Sequence, residues 1–127
     1  MVTYLIGDSL IRIKNGVLAR HKSVTVNNSK FVVSVVDALK RAGMVRDFAI
    51  DEGNRTVTVH IAYKKKEPVL MDLRLVSTPG LHLYMDKREL SQRKKSTTLI
   101  LSTSRGVLTS KEAIKLGVGG EVLVEIN

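Results

Sequence analysis

The chain is predicted to fold as an α+β protein made of two small lobes, and three observations lead there. Residues 1–76 read as helix, strand, helix, strand, strand, a compact α/β order. Residues 77–127 read as mostly β with one short helix. Pro79 and Gly80 between them form the strongest turn signal in the chain. The expected division is therefore 1–76 and 77–127.

The first helix is expected over residues 4–19. Ile6, Leu10, Ile13 and Val17 recur at helical spacing as one apolar stripe, with Asp8, Arg12, Asn15 and Ala19 on another side. Thr3 is the available N-cap, and Gly16 weakens the last turn. Val24 to Val26 is a short strand. Asn28 or Ser29 caps a second helix whose apolar face is Phe31, Val35, Ala38 and Ala42, flanked by Val32, Val36 and Leu39. Its valines lower helix propensity, so packing must hold it. Lys40 and Arg41 suit the negative end of its dipole, and Gly43 ends it.

Val45–Ile50 and Thr56–Tyr63 form a hairpin across the turn Asp51–Asn54. Val57, Val59, Ile61 and Tyr63 share one face of the second strand, and Thr56, Thr58, His60 and Ala62 the other. Lys64 to Pro68 interrupts the pattern, and Leu70–Val76 resumes as strand. In the second lobe Leu81, Leu83 and Tyr84 suggest a short strand. Asp86 caps one or two helical turns to Gln92, and Thr97–Leu101 is a strand. Thr109 or Ser110 caps the helix ending at Leu116, with Glu112 placed for a capping box from Thr109. Gly117 stops that helix, and Glu121–Ile126 is the last strand.

Composition narrows the function. In 127 residues there are 21 Lys and Arg against 12 Asp and Glu, a net charge of +9, with 43% hydrophobic content and no cysteine. A core is affordable in size, while disulfide scaffolds, thiol nucleophiles and thiolate zinc sites are excluded. No apolar run approaches the ~20 residues of a membrane span. The N-terminus shows no basic start followed by an apolar segment, so no secretory leader is expected. The expectation is a soluble intracellular protein. The charge is spread rather than confined to a tail, with 13 cations and 7 acids in residues 1–75 and 8 and 5 in the remainder. That distribution points to a folded nucleic-acid binder, against the plainer reading of a solvated surface.

The candidate contacts fall in three groups. Ser102, Thr103, Ser104, Arg105 and Gly106 follow an apolar strand. The short hydroxyls can meet phosphate, 2′-OH and base edges, Arg105 can pair with phosphate, and Gly106 permits a bend. Composition alone favours an ordinary Ser/Thr turn here. Gly119, Gly120 and Glu121 follow a helix and precede a strand, the reverse of a nucleotide-binding glycine loop. A double glycine beside a strand marks a close backbone approach, and Glu121 can accept from a base amino group or a 2′-OH. Lys64–Lys66 and the group Lys87, Arg88, Arg93, Lys94 and Lys95 are candidate phosphate contacts, or simply solvated loops.

His21, His60 and His82 lie in different elements without ligand spacing, and no hydrolase or phosphate-loop motif occurs. A ribonuclease built on His60 and His82 is the enzyme alternative; no enzyme activity, metal or cofactor is expected. The aromatics Tyr4, Phe31, Phe48, Tyr63 and Tyr84 form no stacking ladder, so a structured RNA suits the chain better than a single strand. No helix combines a basic face with Trp or Phe membrane anchors.

Several motifs occur in a familiar order: Asp8, Leu10, Arg12–Gly16; Ser29–Lys30; Val76–Ser77 with Pro79–Leu81 and Tyr84; Ser102–Thr109; and Glu112–Ala113 with Leu116–Glu121. With them the chain resembles small-subunit ribosomal protein eight of the bacterial type, over essentially its whole length. The resemblance implies an α/β N-terminal lobe and a β-rich, RNA-binding C-terminal lobe. It implies a primary binder of the central domain of small-subunit ribosomal RNA, clamping an irregular helix across its minor groove and aiding subunit assembly beside neighbouring small-subunit proteins. Family members can also bind their own messenger RNA as repressors. By position, Ser102, Thr103, Ser104, Gly119, Gly120 and Glu121 match the family's main RNA surface, Tyr84 its aromatic contact, and Arg12, Asn15 and Lys30 a second RNA-proximal region. The implied place is the small subunit, in a bacterial cytoplasm or an organelle.

The chain departs from the family pattern at Leu75, Thr78 and His82, where basic residues are usual. Lys95–Leu99 replaces a Gly-rich apolar stretch, and Tyr4–Leu5 replaces the usual Asp-Pro opening. Lys94 and Lys95 are expected to compensate for the lost cations.

Overall fold

The computed structural model describes residues 2–70, 72–78, 80–93 and 97–127, with side chains from Gly7 onward. In chain order the elements are α1 (Val2–Leu18), β1 (Ser23–Asn27), α2 (Lys30–Arg41), β2 (Val45–Asp51), β3 (Thr56–Ile61), β4 (Tyr63–Lys64), β5 (Glu67–Pro68), β6 (Leu73–Leu75), β7 (Tyr84–Met85), α3 (Lys87–Gln92), β8 (Thr98–Thr103), β9 (Gly106–Thr109), α4 (Ser110–Leu116) and β10 (Gly120–Ile126). The class is α+β, as expected. Among the described residues no helix is long and apolar enough to cross a membrane.

The N-terminal half follows the predicted order. β1, β3 and β2 form an antiparallel sheet in that order, with Val57, Val59 and Ile61 buried on one face of β3. Leu10, Ile13 and Val17 of α1 are buried against it. Gly16 has a packing role: a β-carbon there would collide with the Val24 side chain of β1. The helix already includes Val2 and Thr3, so Thr3 is not its N-cap. Ser29, not Asn28, caps α2, accepting the Val32 N–H at 3.1 Å, and Gly43 follows at φ +81°. Lys64–Pro68 was expected to break the pattern, but β4 and β5 form a small hairpin there.

Among the described residues of the C-terminal half, α3 forms the helical turns expected after Asp86 and α4 the short helix expected after Thr109. Both carry capping boxes, Asp86 with Glu89 and Thr109 with Glu112. Its sheet runs β6–β10–β8–β9, with β7 on the same edge of β10 as β6. β6 and β7 are successive stretches of one antiparallel edge, interrupted by the excursion 76–83. The division expected at 76/77 falls immediately after β6, which pairs with β10 through Leu75 and Val124.

Both faces of this sheet are covered. Ile100, Leu123 and Ile126 join Leu10, Val35, Leu39 and Val59 in the main core, while Leu99, Leu101 and Val122 pack with Leu90 and Ala113 beneath α3 and α4. That explains the continuous apolar runs Leu99–Leu101 and Val122–Val124, where a one-sided sheet would alternate.

Candidate nucleic-acid interface

Three strands meet at one end of the C-terminal sheet. Glu121 of β10 is paired with Ser102 of β8 on one side and Tyr84 of β7 on the other; Gly120 lies between Thr103 and Met85. The sequence candidates Ser102, Thr103, Gly120, Glu121 and Tyr84 are thus neighbours in one sheet. Gly119 and Gly120 are required by the approach of the flanking backbones. A β-carbon on Gly120 would strike the Ser102 carbonyl, and one on Gly119 would fall 2.6 Å from the Asp86 Cα. The two glycines thus form a floor of bare backbone packed directly against the neighbouring strands.

The Ser102–Gly106 segment is a hairpin turn, not an irregular loop. β8 runs to Thr103, and β9 starts at Gly106, whose φ is +106°. The Thr103 hydroxyl donates to the Gly106 carbonyl at 2.8 Å and accepts the Arg105 N–H at 3.0 Å. It therefore shapes the turn. Ser104 and Arg105 are exposed at the tip and make no side-chain hydrogen bond among the described residues. Their groups are free for a ligand.

On the other flank, Ser77 is buried and ties the 76–83 excursion to β10. Its hydroxyl donates to the Val122 carbonyl at 2.5 Å and accepts the Leu83 N–H at 3.1 Å. Thr78 and Leu81 exchange backbone hydrogen bonds that close the tip. His82 is thereby held with Nδ1 2.6 Å from the Glu121 carboxylate. Tyr84, 64% exposed, projects beside them with exposed Leu81 and Leu83. This edge is exposed, apolar and aromatic, and its His82 ring faces the acid.

The remaining candidates separate. Arg12 and Asn15 are exposed on α1 and line a shallow groove of about 450 Å³ with His21, Ser23 and Thr25. Arg12 also borders a second depression, of about 180 Å³, with Asp8, Asn27, Asn28 and Ser29. Lys30 is exposed at the start of α2, next to Ser29. These residues form an N-terminal surface of their own. Lys94 and Lys95 lie outside the described residues. Arg93, a candidate phosphate contact or solvated loop residue, is half-buried, donating to the Thr97 carbonyl and hydroxyl at 3.1 and 2.6 Å.

The family model described as ribosomal protein S8 matches residues 5–127. The chain belongs to the ribosomal protein S8 family. It is 42% identical over 123 residues to small ribosomal subunit protein uS8 of Chloroflexus aggregans, covering 93% of this chain and 92% of that one. The corresponding protein of Thermosynechococcus vestitus is 40% identical over 124 residues, with the same coverage. Small ribosomal subunit protein uS8m of Acanthamoeba castellanii is 35% identical over 126 residues, covering 97% and 98%.

In this S8-family chain a set of ion pairs braces the scaffold. Arg41 at the end of α2 pairs with Asp37 and, at 3.0 Å, with Glu112 of α4, and it donates to the Val107 carbonyl at 2.7 Å. Burial pushes the Glu112 carboxyl up, but hydrogen bonds from the Thr109 N–H and Arg41 outweigh it and hold the group below its ordinary range. Arg74 likewise holds the Glu125 carboxyl low, assisted by the Thr97 hydroxyl. Sequence reasoning missed the anchoring of Ser77 and the partnership of His82 with Glu121. Both cross more than 35 residues and leave no local signal. The turn chemistry at Thr103 was within reach, since a threonine three residues before a glycine is a common turn former.

Proposed function

We propose that this chain is a structural, non-catalytic component of the small ribosomal subunit that binds the central domain of its ribosomal RNA and helps that region order during assembly. The observation that carries the reading is the floor of Gly119 and Gly120 between Ser102–Thr103 and Tyr84, with Ser104 and Arg105 at its rim. Bare backbone, short hydroxyls and one aromatic face suit a distorted minor groove, where 2′-hydroxyls and base edges are shallow and reachable. Arg105 and the second surface at Arg12, Asn15 and Lys30 supply the phosphate contacts that position the RNA. Family membership and the names of its relatives support the ribosomal setting. A messenger RNA folded into the same irregular helix would occupy the same surface, which accommodates self-repression without a second site.

The test is a titration against an isolated central-domain RNA helix, with a perfect duplex of equal length as competitor, at two salt concentrations. Specific binding persists in both the competitor and the higher salt. Binding that collapses equally for both RNAs would mean that only the +9 charge is acting.

A further inference from the structure

The four non-glycine residues with left-handed backbone among the described residues are all cations: Arg20, Arg55, Lys65 and Lys66, at φ +57°, +54°, +53° and +68°. Two of them occupy the centre of the β4–β5 hairpin. Lys64 pairs with Glu67, so Lys65 and Lys66 form its two-residue turn, both with positive φ. A turn of this type strongly favours Asn-Gly or Asp-Gly, because side chains with a β-carbon are strained there. This chain instead carries lysine at both positions and a third at Lys64, all exposed.

The hairpin is also fixed in place. Arg20, just beyond α1, donates to the Lys66 carbonyl at 3.2 Å and pairs with Glu67 at 3.1 Å. The Tyr63 hydroxyl donates to the His21 carbonyl at 2.6 Å, and the Ile61 N–H donates to the Lys22 carbonyl at 3.0 Å. Glu67, the hairpin's one acid, is thus taken up by Arg20. No carboxylate lies within 4 Å of Lys64, Lys65 or Lys66 among the described residues, nor of exposed Lys22 beside them. His21 connects this cluster to the groove that also holds Arg12 and Asn15.

We propose that the Lys64–Lys66 hairpin is a further RNA contact, gripping the phosphate backbone of a segment that continues along the Arg12–Asn15 groove. The inference rests on the RNA-binding reading above. Strained turn geometry and mutual repulsion of three adjacent cations both oppose this sequence in the free protein. A polyanion relieves the repulsion and makes use of the charges, whereas a solvated turn needs neither.

The experiment uses the full chain and an RNA comprising the whole central domain of small-subunit ribosomal RNA. Two variants are compared with the wild type: Lys64→Gln/Lys65→Gln/Lys66→Gln, and Lys65→Asn/Lys66→Gly. The first is expected to bind at least about a hundredfold more weakly near 0.1 M salt, with the slope of log affinity against log salt shallower by about 2–3. The second restores favoured turn residues, so its melting temperature rises while its salt slope becomes shallower by about 2. That opposite movement separates a contact from a folding defect. Unchanged affinity and slope in both variants, with the wild type binding well, overturn the hairpin contact alone. Failure of the wild type to bind the RNA selectively overturns the RNA-binding reading and this inference with it.

Discussion

The ring of His82 and the carboxylate of Glu121 meet at 2.6 Å, joining the 76–83 excursion to β10 at the edge of the proposed RNA surface. Glu121 sits between Ser102 and Tyr84, so its carboxylate lies within the proposed RNA surface and the His82 ring holds it in place. The His82→Ala variant is expected to bind the central-domain helix about two- to fivefold more weakly, the scale of one lost, partly exposed hydrogen bond. His82→Lys keeps wild-type affinity or improves it. Filter binding on the three proteins decides; an Ala variant as tight as the wild type would show that the ring does not serve Glu121.

Gly120 tests the close strand approach. Its α-carbon has no room for a methyl group against the Ser102 carbonyl, and backbone cannot rotate aside as a side chain can. Gly120→Ala is expected to lose about 1–3 kcal/mol of stability in urea unfolding. Loss below a few tenths would mean that β8 and β10 separate freely at this end.

Thr103 and Ser104 adjoin in sequence but differ in role. Thr103→Val removes both turn hydrogen bonds and is expected to cost about 1 kcal/mol of stability. Ser104→Ala leaves stability within about 0.5 kcal/mol, since its hydroxyl is exposed, but weakens RNA binding by about 1–3 kcal/mol. Paired urea titrations and RNA titrations separate the two. An exchange of these phenotypes would contradict the geometry.

The Arg41–Glu112 pair predicts a dependence on acid. Glu112 titrates below its ordinary value of 4.5 in the folded chain. Its contribution is therefore complete above that pH and disappears as pH falls through the lowered value. Arg41→Met is expected to cost about 1 kcal/mol at pH 7, a modest figure because both side chains are about a third exposed. The gap to the wild type narrows as the pH falls below the ordinary carboxylate value of 4.5. A gap independent of pH would assign the loss to packing of the Arg41 stem and its hydrogen bond to the Val107 carbonyl.

Much of this architecture is visible in local chemistry. The caps at Ser29, Asp86 and Thr109, the stops at Gly43 and Gly117, and the alternation of Val57, Val59 and Ile61 depend on residues within a turn of each other. β9 is not visible, because only Val107 and Leu108 lie between its opening glycine and the cap Thr109, too short a run to alternate. The β4–β5 hairpin is hidden for the opposite reason: lysines stand where a glycine or asparagine would announce the turn. Within the site, the double glycine and the hydroxyl-rich turn could be read singly. That they become neighbours depends on the pairing of Gly120 with Thr103 and of Glu121 with Ser102, which only the fold supplies.

The most direct test of the central claim is an amide NMR titration of the full chain with the central-domain RNA helix. The account predicts that the signals of Tyr84, Ser102–Gly106 and Gly119–Glu121 shift together at substoichiometric RNA, while the remote turn Glu52–Asn54 stays still. A silent Ser102–Gly106 and Gly119–Glu121 surface, with shifts confined to the lysine-rich segments or spread evenly over the molecule, would contradict it.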